Sequence, residues 1–184
     1  MIGMTVQDLI RNALAELEYP SDTAALPLWQ EKLIRFANEA VADIVATFRP
    51  WRRDPLPLTN GTLTHSALPR TAAKELGVER CGVRLPFYYG ESTGVLRVPG
   101  VPDGTLTVVY RYVPATLSAL TDVPELPSCC HPLIVTYMVA RFGMQNDAQG
   151  MNRASAALSV YEAQKRRLKL DFDEPAGYDI YHCF

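Results

Sequence analysis

The stretch that decides the fold is Pro124–Leu170, which reads PELPSCCHPLIVTYMVARFGMQNDAQGMNRASAALSVYEAQKRRLKL. Ser128 follows a turn bracketed by prolines, and its hydroxyl can cap a helix by accepting an unpaired backbone N–H. Pro132 is tolerated four residues further on, because N–H groups in the first helical turn have no partner within the helix. Apolar residues then recur at helical spacing, with an interruption at residues 146–147. The stretch predicts two helices joined by a short turn, an αα-hairpin.

The beginning of the chain predicts a second pair of helices. Thr5 is a candidate N-cap, and Asp8 three residues later makes an acidic form of the capping box. Apolar residues follow at i, i+3, i+4 and i+7, and prolines at positions 20 and 50 end the two helical patterns. The four expected helices cover about residues 6–17, 28–48, 129–143 and 147–170.

The middle third, residues 51–123, is rich in Pro and Gly and has no helical period. Asn60-Gly61 suits a type I′ hairpin turn between strands at 54–58 and 61–63, because both positions tolerate a positive φ. The clearest strand is Thr105–Val113, whose side chains alternate. Ala72–Leu76 is expected to form a single helical turn. The other expected strands are a weak one within 78–85 and short ones at 87–89 and 94–98.

The fold class is therefore α+β. We expect a four-helix core of two helical hairpins, with a small antiparallel β meander of three to six strands inserted and an extended C-terminal tail. A chain of 184 residues is long enough for one domain with its own core. The expected layout is a single domain over 1–184, with helical segments 1–50 and 124–170, a β-rich insertion 51–123 and a tail 171–184.

Composition excludes several classes. The 18 basic and 20 acidic residues give a net charge of −2, so no large sequence-independent attraction to nucleic acid is expected. No apolar run approaches 18 residues and Met1–Asp8 lacks a signal-peptide pattern, so we expect neither a membrane span nor secretion. The cysteines lack zinc-site spacing and are expected to be reduced structural thiols. They are Cys81, Cys129, Cys130 and Cys183.

The sequence lacks the common catalytic and phosphate-binding motifs. The sequence has no G-x-S-x-G, no P-loop and no G-x-G-x-x-G, and the loop Gly90–Gly94 is expected to be a hairpin loop. His131 is expected to be a structural histidine beside packed cysteines. We therefore predict no enzyme activity, no cofactor and no metal site. The basic clusters 51–53 and 165–167 favour surface charge or ion pairs with a neighbouring subunit, and contact with a nucleic-acid backbone is the alternative.

The tail Asp171–Phe184 is first acidic and then aromatic. Disordered segments are usually poor in aromatic residues, whereas aromatic anchors suit binding pockets. The tail is therefore either a partner-binding segment or a segment that folds back on its own core, and the residues alone leave both open. The predicted partner-binding residues are Phe172, Tyr178, Ile180, Tyr181 and Phe184.

The layout resembles the head-to-tail adaptor (connector, or head-completion) proteins of tailed bacteriophages. The residues that carry the resemblance are the second helix ending in Phe48–Arg52, the β-rich middle, the run Pro124–Phe142, and an Ala-rich last helix with Tyr161-Glu162. These are packing and turn residues spread over most of the chain.

The resemblance implies a non-enzymatic virion protein of the phage neck, made in the host bacterial cytoplasm. Such proteins assemble as rings of about twelve copies on the portal protein, extend the DNA channel and provide the attachment surface for the tail or a second neck protein. DNA passes through without sequence-specific binding, and no membrane is involved. The resemblance implies portal contact for Asp171–Phe184, and we expect a monomer until the portal is met. Alternatives are a tail-side completion or tail-terminator protein, and a small hydrolase or nucleic-acid-binding module.

Overall fold

The computed structural model describes residues 3–20, 26–92, 94–144 and 148–172, and at 148–150, 153 and 169–172 it describes the backbone alone. The chain divides into two compact units, which we call the helical unit and the β unit. The helical unit consists of Met1–Phe48 and Thr116–Phe184, and the β unit is Arg49–Ala115. The fold class is α+β, as the sequence predicted. The prediction of a single domain over 1–184 stays a prediction.

The described residues of the helical unit form four helices, as expected. They are α1 (Val6–Glu16), α2 (Leu26–Phe48), α3 (His131–Gly143) and α4 (Ala148–Phe172). The capping box that opens α1 is confirmed. The Thr5 hydroxyl accepts the Asp8 N–H at 3.2 Å, and the Asp8 carboxylate accepts the Thr5 N–H at 3.0 Å. Because both orphan donors are satisfied, the first helix has a defined starting point.

Helix α3 is central, because it packs against each of the other three helices. The apolar positions of each helix fall on its inner side and form one core. Its largest fully buried members are Leu9, Ile10, Leu14, Leu33, Phe36, Ile44, Phe142 and Tyr161. The helical unit is thus organised around the first helix of the predicted αα-hairpin.

The segment that returns from the β unit is tied to the first two helices. The Asn38 side-chain amide pairs with both backbone groups of Leu117, with two hydrogen bonds of 2.9 Å. The N–H groups of Val6 and Gln7 donate to the carbonyls of Asp122 and Leu120. These bonds hold residues that lie far apart in sequence at one end of the helical unit.

In the β unit, the residues that the structure describes form seven antiparallel strands in two sheets. They are β1 (Trp51–Leu58), β2 (Thr62–Thr64), β3 (Ala72–Arg80), β4 (Val83–Leu85), β5 (Tyr88–Tyr89), β6 (Val95–Arg97) and β7 (Gly104–Tyr112). The strand orders are β1-β7-β3-β4 and β2-β6-β5. Apolar residues of both sheets share one core. Its members are Leu56, Leu58, Leu63, Val78, Leu96, Val98, Leu106, Val108 and Tyr110.

Three local expectations need correction. Ala72–Leu76 is not a helical turn but the first part of β3, because its backbone pairs with β7 across two register irregularities. The strands are not in meander order, because the first strand of the unit pairs with the last. The turn at Asn60-Gly61 is confirmed, with φ of 50° and 69°, yet the strands on either side belong to different sheets.

The start of α3 also differs from the prediction. Ser128 caps no helix; it is the first residue of a short 3-10 turn, Ser128–Cys130, and α3 begins at His131 without a side-chain cap. Pro132 does lie in the first turn of the helix. The bracketing prolines set the chain direction here, so a capping hydroxyl is not needed to start the helix.

Candidate partner-binding site

The predicted partner-binding residues lie at and beyond the end of α4. Phe172 is the last residue of the helix, and its side chain lies outside the described residues. The other four, Tyr178, Ile180, Tyr181 and Phe184, fall in 173–184, which also lies outside them. Their assignment as partner contacts stays a prediction. The structure does show how the helix that leads to them is held.

Helix α4 is fixed on its neighbours by a buried tyrosine and a buried lysine. The Tyr161 ring is 1% exposed, and its hydroxyl donates to the Asp43 carboxylate on α2. Lys165 Nζ donates to the same carboxylate oxygen at 2.7 Å and to Glu162 Oε1 at 2.9 Å. The Tyr137 ring on α3 packs edge-on against Tyr161, with centroids 5.2 Å apart. The contacts to Asp43 and Tyr137 hold the helix in one register.

We call the polar cluster of Asp43, Tyr161 and Lys165 the α4 anchor, and none of these three groups changes its charge in the neutral pH range. Desolvation raises the pKa of Asp43, but the hydrogen bonds from Lys165 and Tyr161 outweigh it, and the net effect lowers this pKa. Burial and the bond to Asp43 raise the pKa of Tyr161. Burial lowers the pKa of Lys165, yet its two carboxylate partners raise it overall. The carboxylate stays charged, the phenol neutral and the ammonium charged.

The anchor corrects the reading of the cluster 165–167 as surface charge. Lys165 is 8% exposed and bonded within its own chain, whereas Arg166 and Arg167 are exposed. Lys165 therefore lies on the inner side of α4. The sequence carries no signal for its partner, because Asp43 lies 122 residues earlier.

A second polar contact joins α2 to α3. Arg141 Nε donates to Glu39 Oε2 at 3.0 Å, and its guanidinium lies 5.6 Å from the Phe36 ring centroid. One turn earlier on α2, Lys32 Nζ lies 4.3 Å from the Phe142 ring centroid. Long side chains at the border of the core thus cover aromatic rings while their charged ends stay near solvent.

His131 has a structural role. Its Nδ1 accepts the Met4 N–H at 2.9 Å and its Nε2 lies 3.2 Å from the Leu126 carbonyl, which accepts from it. The ring is 1% exposed, so both nitrogens must be satisfied by the protein. The expectation of a structural histidine fits this geometry, although backbone groups and not the cysteines are its hydrogen-bond partners.

In the β unit, the cluster 51–53 is split between two faces of the same sheet. Arg52 Nη2 donates to Asp54 Oδ1 at 2.8 Å, and the Tyr110 hydroxyl donates to Oδ2 of the same carboxylate at 2.7 Å. Desolvation raises the pKa of Asp54, but the bonds from Arg52 and Tyr110 lower it overall. Burial and the bond to Asp54 raise the pKa of Tyr110 to about 12. These groups belong to the interior side of β1 and β7.

The opposite face of this four-stranded sheet carries several cations, of which Arg53, Lys74 and Arg84 are exposed. Along β1, the buried residues are every second one from Asp54 onward. The residues between them, and Trp51 and Arg53 before them, therefore lie on the opposite face. Register places Arg111 opposite Trp51 and Lys74 opposite Arg111. We define the basic sheet face as Trp51, Arg53, Lys74, Arg84 and Arg111. It is the most clearly built candidate contact surface in the part of the chain that the structure describes.

Metal and membrane chemistry find no support among the described residues. No group of three or more His, Cys, Asp or Glu side chains is placed there to hold a metal ion. None of the helices in that part of the chain is both long and apolar enough to cross a membrane. The three described cysteines, Cys81, Cys129 and Cys130, are free thiols.

The described residues thus combine a unit of four helices with a β unit of two antiparallel sheets. The family model described as SU10 adaptor protein matches residues 4–178, which is all but the first three and last six residues. The chain belongs to this family of phage adaptor proteins. A search of curated proteins finds no match.

Proposed function

We propose that this adaptor forms a ring in the phage neck, docks on the portal protein, extends the DNA channel and offers the surface to which the tail or a second neck protein attaches. The match of the adaptor family over residues 4–178 carries the proposal. Twelve copies are expected per ring. The role is structural and non-enzymatic, in the virion, and DNA passes without sequence-specific contacts.

The tail supplies the portal contact in this proposal. Helix α4 is anchored through Tyr161 and Lys165, and the tail follows its last residue, Phe172, in the sequence. Several equivalent tails in a ring would bind a ring of portal subunits together, and avidity then turns weak single contacts into strong attachment. Ordering a tail costs free energy, which burial of Tyr178, Tyr181 and Phe184 must offset.

Electron microscopy of the protein mixed with its portal tests the proposal. We expect an added ring of density on the portal. Removing residues 173–184 should abolish the ring and leave the thermal melt of the helices unchanged. Tyr181→Ser should weaken docking, whereas the matched control Tyr88→Ser, at an exposed tyrosine of the β unit, should not.

Three other results would argue against portal docking through the tail. Absence of added density with the full chain would contradict the proposal. Binding to the end of the tail tube instead of the portal would support the tail-side completion role. Collapse of the melt on removal of 173–184 would show that the tail belongs to its own core.

A further inference from the structure

We propose that the basic sheet face binds the acidic helical unit of a second copy of this chain, and that this contact joins neighbouring subunits of the ring. The inference rests on the ring proposed above and names the surface that would build it. A contact between two different faces is heterologous, and such contacts close into rings when the rotation between copies matches.

Opposite charge on the two units is the first observation. The β unit has nine basic and five acidic residues, a net charge of +4. The remainder of the chain has nine basic and fifteen acidic residues, a net charge of −6. Two copies therefore attract each other when the β unit of one meets the helical unit of the next, and repel in like-to-like pairings. Charge complementarity of this kind selects orientation and raises association rates.

The register of the sheet is the second observation. Antiparallel pairing brings Arg111 between Trp51 and Lys74, and sets Glu79 opposite Arg84. The face thus combines four cations with the one carboxylate of Glu79, whose nearest oxygen lies 3.7 Å from Arg53. The cations lie on strands of one sheet, so their positions are fixed relative to one another by backbone hydrogen bonds.

The apolar content of the face favours a protein partner over nucleic acid. Trp51 is 44% exposed, and the Arg53 guanidinium lies 5.4 Å from its ring centroid. A tryptophan with arginines around it is typical of the energetic centre of protein interfaces. The net charge of −2 also opposes binding of a polyanion by the whole chain.

The size of the face explains why the contact would depend on the ring. Four strands of three to nine residues, spaced about 4.8 Å apart, present roughly 400–500 Å². A stable interface needs about 800 Å² from each partner. The face alone is therefore too small for a tight dimer, and alignment of copies on a portal would supply the effective concentration that it lacks.

The exposed carboxylates of the first two helices are the expected counter-charges. Asp8, Glu16 and Glu18 are exposed on or just after α1, and Glu31 is exposed on α2. Two exposed arginines, Arg11 and Arg35, lie among them, which offers a matched control.

The test compares two charge reversals of equal size. Arg53→Glu with Lys74→Glu changes the basic sheet face, and Arg11→Glu with Arg35→Glu makes the same change in charge on the helical unit. On portal rings imaged by electron microscopy, the first variant should bind as isolated copies with ring occupancy reduced about tenfold, and the second should form complete rings. Complete rings from the first variant, or equal loss from both, would overturn the inference. The neutral pair Arg53→Ser with Lys74→Ser should be intermediate if its melt matches wild type.

A second measurement does not depend on the portal. Sedimentation of the full chain at high concentration and 25 mM salt should show weak self-association that disappears at 200 mM salt and in the Arg53→Glu/Lys74→Glu variant. If the wild type associates in this way but does not dock on the portal, the proposed function fails, and only the contact between copies stands, without its role in a neck ring. If the wild type associates in neither experiment, the inference fails. Binding of a labelled 30-base-pair duplex that is lost with the variant, while self-association is unchanged, would assign the face to nucleic acid.

Discussion

Replacement of Tyr161 by Phe removes one hydroxyl from the anchor of α4 and keeps the ring. The hydroxyl donates to Asp43, and the ring stays packed against Tyr137. The substitution therefore separates the hydrogen bond from the packing. We expect a loss of stability confined to the helical unit, because both partners of the bond belong to it.

The magnitude follows from the surroundings of the carboxylate. Hydrogen bonds to charged groups contribute about 1.5–3 kcal/mol. The Asp43 side chain is 41% exposed and keeps its bond to Lys165, so water can replace the lost donor. We expect a cost near the lower limit, about 1–1.5 kcal/mol, or a fall in Tm of about 2–6 °C for a chain of this length. Tyr161→Ala also removes the buried ring and should cost about 3–5 kcal/mol.

Urea unfolding followed by circular dichroism at 222 nm measures these changes, since this signal reports mainly on helices. Tyr88→Phe is the control, because Tyr88 is 62% exposed, and it should change stability by less than about 0.5 kcal/mol. A double-mutant cycle with Asp43→Asn should show coupling between the two sites. If Tyr161→Phe is as stable as wild type, or if the two substitutions add independently, the hydrogen bond from Tyr161 to Asp43 does not help to hold α4, and the ring packing and the Lys165 contact do.

Three further predictions concern polar side chains with hydrogen bonds inside the protein. His131→Ala leaves two backbone groups without partners and should cost about 2–4 kcal/mol in urea unfolding, whereas His131→Gln, whose amide can both donate and accept, should cost less. The pKa of Tyr110 is raised to about 12 in the folded protein, whereas the unfolded phenol ionises at about pH 10. The β unit should therefore lose stability as the pH rises from about 10 to 12. Near-UV spectra should show this loss, and Tyr110→Phe should remove it. The pKa values of Asp43 and Asp54 are lowered in the fold, so their stabilisation should be complete above about pH 4 and fall as pH drops through the folded values. Melting between pH 6 and pH 3 measures this fall, and equal acid sensitivity in Asp54→Asn would contradict the role of Asp54.

Local signals in the sequence were sufficient for the helices. The capping box at Thr5 and the apolar spacing of α1 depend on residues within a few positions of one another, and both are confirmed. The same local reasoning was wrong at Ala72–Leu76, where Ala, Lys, Glu and Leu all favour helix. Pairing with β7, more than 30 residues away, decides that segment instead. Propensity is a weak preference that a neighbouring strand can override.

The contact surfaces were harder to foresee for the same reason. The basic sheet face exists because β1 and β7 pair in a particular register, and no short motif marks residues that far apart as neighbours. Likewise, Lys165 looked like one of three surface cations until its partner on α2 was known. The aromatic tail was visible in composition alone, and its role as a portal contact stays a prediction.

The pairing of β1 with β7 also brings the two ends of the β insertion together. The chain leaves the helical unit after Phe48 and returns at Thr116, and the two strands at this crossing are hydrogen-bonded, with Trp51 directly opposite Arg111. Paired strands hold such residues about 5 Å apart. The whole insertion could therefore be exchanged, enlarged or replaced by a few glycines without stretching the helices that flank it.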